Sequence, residues 1–313
     1  MKFLDGHKAG NQHTIWSPIL KPVMTVSSGE LIRVRIPDSS TLQITPDSKT
    51  EDLVHIDHSK LDAAVGPIYV DGANPGDVME ITIQSIEPSN WGWTTISENF
   101  GFIKNRFRER LIIWDISDGS ARPRGEFLRG ISIPVFPFLG IIGLAPEAGE
   151  FGMIPPRVFG GNMDNRLLGP GSKVYLPVNV EGGLLSLADP HAAQGDGEVC
   201  GTAIETPAEA VISVRILSGV AIGEPRAYSV DRGLGEVIVT MGIDADLHVA
   251  TVKAVESMLL ELREYGFSLE EGYALCSVAG NLRISEVVDE PNFVVSMLFP
   301  KDIARQGKSR FMK

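Results

Sequence analysis

Most apolar runs in this chain are short and are broken by glycine or proline before they reach the length of a buried helix. That punctuation limits the fold more than any other feature. Glycine occurs 33 times and proline 20 times in 313 residues, roughly one residue in six, a turn-rich composition that stays below the level of low-complexity chains. With 43% hydrophobic and 22% charged residues, the chain can bury a large core, so the natural reading is many short strands joined by tight turns.

Period-two alternation over residues 31–36 and 78–83, separated by turn signals at Ser28-Gly29 and Asn74-Pro75-Gly76-Asp77, predicts half-buried strands. Residues 131–135 and 138–144 continue this character, as do 173–178 and 210–216, which flank a polar, glycine-dense centre. The period changes near Asp244. Leu247, Ala250, Ala254, Val255, Met258, Leu259 and Leu262 fall mostly at three- and four-residue intervals, which predicts a helix over 244–265 with Gly266 as its stop. Ser268 and Glu271 have capping-box spacing and open a second helix to about residue 278. Two closing strands follow over 282–288 and 293–299, and the basic tail from Lys301 reads as a solvated end. The expected fold is α+β and predominantly β: a sandwich- or barrel-like body over 1–225 carrying the site loops, packed against an α/β part over 226–313 with a long amphipathic helix.

Twenty-eight Lys and Arg against 40 Asp and Glu give a net charge of −12, which repels phosphate backbones and anionic lipid surfaces. Neither nucleic acid nor membrane is expected as a partner. The N-terminal residues show no signal-peptide core and no run of apolar residues is long enough to span a bilayer. Two cysteines, Cys200 and Cys276, make no disulfide framework. A cytoplasmic protein is expected.

Polar and glycine-rich residues peak in two stretches, 159–166 (FGGNMDNR) and 189–205 (DPHAAQGDGEVCGTAIE). Both are read as loops held between apolar strands. The second contains one His, two Asp, two Glu, one Gln and one Cys, a donor inventory suited to a divalent cation. Such a cation lowers the pKa of a bound water while a nearby carboxylate moves the proton. Glycines at 195, 197 and 201 permit close backbone approach. His191 fits a hydrogen-bonded structural histidine as well as a ligand, and Cys200 fits a small packing residue as well as a nucleophile. His13 reads as incidental, and Trp91-Gly92-Trp93 as a packing feature that can also wall a pocket. The Gly-x-Ser-x-Gly elbow, the P-loop and Gly-x-Gly-x-x-Gly after a strand are missing.

Several motifs together resemble the acetamidase/formamidase family: GPIYV from Gly66, GANPGD from Gly72, GWT from Gly92, PFLGIIGLAP from Pro137, GGNMDNR from Gly160, YLPV from Tyr175 and HAAQGDGEVCG from His191. The resemblance implies hydrolysis of a short amide, such as formamide or acetamide, to a carboxylate and ammonia. It further implies a β-rich fold, assembly as a homodimer or larger oligomer, and a divalent cation in some members, with zinc expected and calcium or manganese as alternatives. Residues 38–44 match a family segment only in part, with Leu42 in place of its glycine, and Asp38 is taken as a substrate-side residue on that match. The expected catalytic residues are Glu198, Asp164 and His191, with Glu198 as proton shuttle. Asp164, His191, Asp196 and Glu198 are the expected metal ligands, and Asn162, Gln194, Gly195, Gly197 and Asp38 the expected substrate-binding residues. A cysteine-dependent amidase using Cys200 and a non-catalytic metal- or ligand-binding protein are the alternatives.

Overall fold

In Leu31–Ile36 every second side chain is buried: Ile32, Val34 and Ile36 point inward while Leu31, Arg33 and Arg35 stay exposed. This is the period of a strand with one wet face. Ala208–Leu217 alternates in the same way over most of its length and pairs antiparallel with it, Ala210 opposite Val34 and Ile212 opposite Ile32, so the two apolar faces merge. The computed structural model, which describes residues 1–309, extends this pair into a nine-stranded sheet. Its spatial order is Lys2–Asp5, Leu31–Ile36, Ala208–Leu217, Val78–Pro88, Lys173–Pro177, Arg226–Asp231, Gly235–Asp244, Phe293–Pro300 and Asn281–Glu286. An eleven-stranded sheet faces it, with Ala64–Asp71, Leu185–Ala193 and Phe138–Gly143 as neighbours within it. The largest core lies between the two, joining Ile32, Ile81 and Val239 to Val65, Leu139 and Leu187. The body is therefore the predominantly β sandwich that the punctuated runs predict.

Strands on both sides of residue 225 hydrogen-bond into the nine-stranded sheet. In Gly235–Asp244, Val237, Val239, Met241 and Ile243 face the main core, and Ile238 faces a second core built with Ala250, Ala254, Met258 and Leu262 of α1 (Leu247–Arg263). A Cβ on Gly242 would run into the Ala250 carbonyl and the Ala254 amide, so glycine there is what lets the helix settle on the sheet. The helix starts three residues later than its apolar period suggests, because Asp244 completes the strand and Asp246 caps the helix by accepting from the His248 and Val249 amides at 2.8 and 3.1 Å. The capping box opens α2 (Leu269–Ala279) as expected, with Ser268 and Glu271 bonded reciprocally at 2.9 and 3.1 Å. The tail departs from expectation. Lys301–Ser309 forms α3 and buries Ala304 in the second core, while residues 310–313 of the expected solvated end lie outside the described residues. Among the described residues no helix is long and apolar enough to cross a membrane.

His13, which looks incidental in the sequence, is built into the fold. Its Nδ1 lies 2.7 Å from the Ile15 carbonyl and its Nε2 2.8 Å from Ser186 Oγ, and its ring meets Trp16 edge-on. Burial pushes its pKa down to about 4 against the opposing pull of the Ile15 carbonyl. The folded state therefore holds His13 neutral where the unfolded chain protonates it, so this contribution to stability is whole above pH 6.5 and falls as the pH drops toward 4. At pH 5 the loss should be on the order of 2 kcal/mol. His13→Gln, compared with the parent by urea unfolding at pH 7 and pH 5, should flatten the pH dependence by about that amount. Equal slopes for the two proteins would show that His13 is not the titrating group.

Candidate active site

The site is written by strand register. In the eleven-stranded sheet Phe138 lies opposite His191, His191 opposite Glu205, and Glu205 opposite Trp93. Opposed residues share a face of the sheet, so four side chains from four strands stand in one row. The Phe138 ring meets the imidazole edge-on at 4.9 Å. His191 Nδ1 lies 2.9 Å from Gln194 Oε1, and the Gln194 amide nitrogen donates to the Asp164 carbonyl at 2.7 Å. With Nδ1–H bonded to Gln194, the other ring nitrogen is aimed into the cluster, 2.9 Å from Asp189 Oδ2, 3.1 Å from Glu205 Oε2 and 3.9 Å from Glu198 Oε1.

Two aspartates meet over a glycine. Gly140 sits across the ladder from Asp189, between the pairs Leu139–Pro190 and Ile141–Ala188, and its carbonyl accepts from the Met163 and Asp164 amides at 3.0 and 3.2 Å. A Cβ at Gly140 would collide with Asp164 Oδ1 and Asp189 Oδ2. Asp164, Asp189 and Glu198 all adopt left-handed backbone, at φ 40°, 54° and 46°. That region costs a non-glycine residue free energy that the surrounding structure must offset, and such residues cluster at functional sites.

Further carboxylates close the floor. Asn162 donates to Asp289 at 2.6 Å and keeps its own buried Oδ1 unbonded. Glu286 accepts from the Val288 and Asp289 amides, leaving its buried Oε2 unbonded. Both oxygens of Asp164 are buried without a partner. Burial, reinforced by Asp189, raises the Asp164 carboxyl well above the ordinary range. Burial and Asp164 do the same to Glu198, and to Asp289. Desolvation lifts Glu205 to about 7 despite the opposing His191 charge, and lifts Glu286 to about 7. His191 moves the other way from a lone buried imidazole: against the desolvation that would lower it, Asp189 and Glu205 hold its pKa well up. Asp189 in turn is held low by His191 despite its burial. A fully buried acid-rich nest with one imidazole results, and Asp164, Asp189 and His191, or His191, Glu198 and Glu205, offer donor atoms within 4.8 Å of one another. Hard oxygen donors with one imidazole, several of them unbonded, fit a divalent cation.

Of the residues singled out in the sequence, Asp164, His191, Glu198 and Asn162 come together here. Asp196 does not join them. Half-exposed, it pairs with Arg166 at 2.7 Å and with Arg283 at 4.0 Å. Gln194 uses one bond from each end of its amide to hold His191 and Asp164 in place. The Gly197 amide donates to the Ser285 carbonyl at 2.9 Å, and Gly195 is exposed in a neighbouring cavity. Asp38 lies behind the pocket wall, accepting from Trp93 Nε1 at 3.1 Å and from the amide and hydroxyl of Ser40. Cys200 also faces the neighbouring cavity, its thiol donating to the Thr202 carbonyl at 3.3 Å, and Cys276 is core. Sequence reasoning counted Asp189 and Glu205 only within the donor inventory of residues 189–205, and gave no role to Asp62, which lines the same pocket, or to Glu286 and Asp289. A finer signal was present at Asp189, which is two residues from His191 within the strand Leu185–Ala193, a segment read as loop for its polar, glycine-rich composition.

The matches to known proteins agree over the whole chain. A model of the acetamidase/formamidase family matches residues 5–151 and 150–306. A formamidase of Methylophilus methylotrophus is 27% identical, over 94% of this chain and 89% of that protein. Among solved structures, a predicted acetamidase/formamidase from Thermoanaerobacter tengcongensis superposes with a TM-score of 0.87 at 32% identity over 98% of both chains. An acetamidase from Bacillus halodurans gives 0.88 at 27% identity, over 97% of this chain and 99% of that one. Fold, buried acid nest and relatives define an enzyme of the amidase class, a hydrolase of non-peptide carbon–nitrogen bonds. The chain belongs to the acetamidase/formamidase family.

Gly140→Ala tests the close approach of the two aspartates. The added methyl should push Asp164 and Asp189 apart and lower amidase kcat/KM at least about tenfold, while far-UV circular dichroism stays that of the parent. Full activity in a folded variant would mean that the spacing of these carboxylates is immaterial.

Proposed function

We propose that the protein hydrolyses a small primary amide to the carboxylate and ammonia. The observation that carries this reading is the inward-facing Nε2 of His191, ringed by Asp189, Glu205 and Glu198 and fixed through Gln194. An imidazole oriented by a bond at its other nitrogen is prepared either to hold a cation or to carry a proton. The residues that would hold a divalent cation are Asp164, Asp189, His191, Glu198 and Glu205. When bound there it supplies Lewis acidity and a water of lowered pKa.

The remaining steps belong to this chain's own groups. Asn162 Oδ1, buried and unbonded, accepts an N–H of the substrate amide and so orients its plane. Glu198, raised by burial and by Asp164, takes the proton of the attacking water and returns it to the departing nitrogen, which leaves readily only once protonated. A carboxyl shifted upward serves both halves of that transfer better than an ordinary one. The apolar surroundings of the nest exclude bulk water, which strengthens each of these interactions.

Ammonia release from acetamide and formamide is the direct test. Turnover should disappear after chelation to metal-free protein and return with Zn²⁺, Mn²⁺ or Ca²⁺, whereas unchanged turnover in protein shown metal-free by elemental analysis would remove the cation from the mechanism. Glu198→Gln keeps the shape of the side chain and loses the base. It should cost about a hundredfold or more in kcat, and a variant as fast as the parent would assign proton transfer elsewhere.

A further inference from the structure

The acid nest is only one end of its cavity. The space it opens into is about 290 Å³, close to the lower end of the roughly 300–1,000 Å³ of pockets that enclose drug-sized ligands. An amide as small as acetamide would fill a minor part of it. Much of the rest is walled by apolar side chains, Leu53, Ile56 and Leu61 from the segment that follows the first sheet strands, Ile96, Phe100 and Ile154, set among polar groups that include Ser40, His58, Thr95 and Glu109. Trp93, in register with the catalytic row, joins the wall to the floor.

This wall is held in place. Leu53 and Ile56 pack against a buried cluster of Ile44, Trp93 and Ile113. Phe100 is seated on Gly201, where a Cβ would strike its ring, and the Phe102 amide donates to the Val199 carbonyl at 3.0 Å. The segment carrying Phe100 is thus tied to the segment carrying Glu198. Water against the apolar side chains of this wall is poorly bonded and is displaced favourably by an apolar group. The carboxylate floor repels any substrate that brings its own negative charge.

Resting on the amidase reading above, we infer that the preferred substrate is an uncharged primary amide with a bulky apolar acyl group, such as an arylacetamide, whose amide meets the acid nest while its apolar part lies on the wall. A single methylene placed in a fitting apolar pocket is worth about tenfold or more in kcat/KM, so a phenyl group should give a clear preference.

Ammonia release and calorimetric binding are measured on the metal-loaded enzyme with phenylacetamide, acetamide and formamide. The inference expects kcat/KM for phenylacetamide at least tenfold above that for acetamide, with formamide lowest. Acetamide or formamide equal to or better than phenylacetamide overturns it, with the amidase reading intact. If no amide releases ammonia, the amidase reading fails, and the binding data still decide: a Kd for phenylacetamide at least tenfold below that for acetamide supports the apolar subsite, and equal values refute it. Phe100→Ala and Ile56→Trp, made separately, remove one wall group or fill the space. Each folded variant should lower the phenylacetamide-to-acetamide ratio at least threefold, and an unaltered ratio in both would place the apolar group elsewhere.

Discussion

Negative charge without water is the constraint around which this molecule is arranged. Asp164, Asp189, Glu198, Glu205, Glu286 and Asp289 are all buried, and among the buried residues of the nest only His191 can carry a positive charge. Removing several carboxylates from water is costly unless each is protonated, hydrogen-bonded or paired. The site uses all three means. His191 pairs with Asp189 and Glu205, backbone amides bond Glu286, and burial lifts Asp164, Glu198 and Asp289 toward their neutral forms. What remains is a set of unbonded oxygens on Asp164, Asp189 and Glu286, which is an unstable arrangement for its own sake and a useful one for binding.

Such a nest persists because the packing around it is stronger than its own repulsion. The core between the two sheets takes in side chains from nearly every long strand, and a close-packed interior resists relaxation at any one point. Three of the site's carboxylates stand on left-handed backbone, and each is held by the ladder or turn next to it. Gly140 serves twice: its missing methyl admits two carboxylates, and its backbone carbonyl anchors the turn bearing Asp164.

Much of this fold can be read from local signals. Alternation in Leu31–Ile36, the three- and four-residue spacing through α1 and the Ser268–Glu271 capping box are each properties of contiguous residues, and each matches the element formed. Asp164, His191 and Glu198 stand out in the sequence because polar, glycine-rich segments contrast with their apolar flanks. The rest of the site depends on register and on chain reversals that no local pattern encodes. Glu205 faces His191 only because Ile204–Glu205 pairs with Leu185–Ala193. Asp62 arrives from a segment more than a hundred residues before that pair, and Glu286 and Asp289 from one about eighty residues after it. Asp196 misleads for the converse reason: its place in the acidic stretch is conspicuous, but Arg166 and Arg283 draw it to the surface.

The acidic contribution from Glu286 and Asp289 explains why the C-terminal strands matter to a site whose main row lies in the other sheet. Asn281–Glu286 is the outermost strand of the nine-stranded sheet, yet its Ser285 carbonyl accepts from the Gly197 amide and Gly197 bridges to Glu286. The segment bearing Glu198 is therefore pinned from one side by the nine-stranded sheet and from the other by Phe102, which donates to Val199. A residue asked to give and take protons at a fixed point cannot sit on a free loop, because small displacements cost large factors in rate. Holding residues 197–201 between Asn281–Glu286 and the segment that follows Trp91–Ile96 supplies that fixity, and it does so with backbone bonds, which do not use the Glu198 carboxyl.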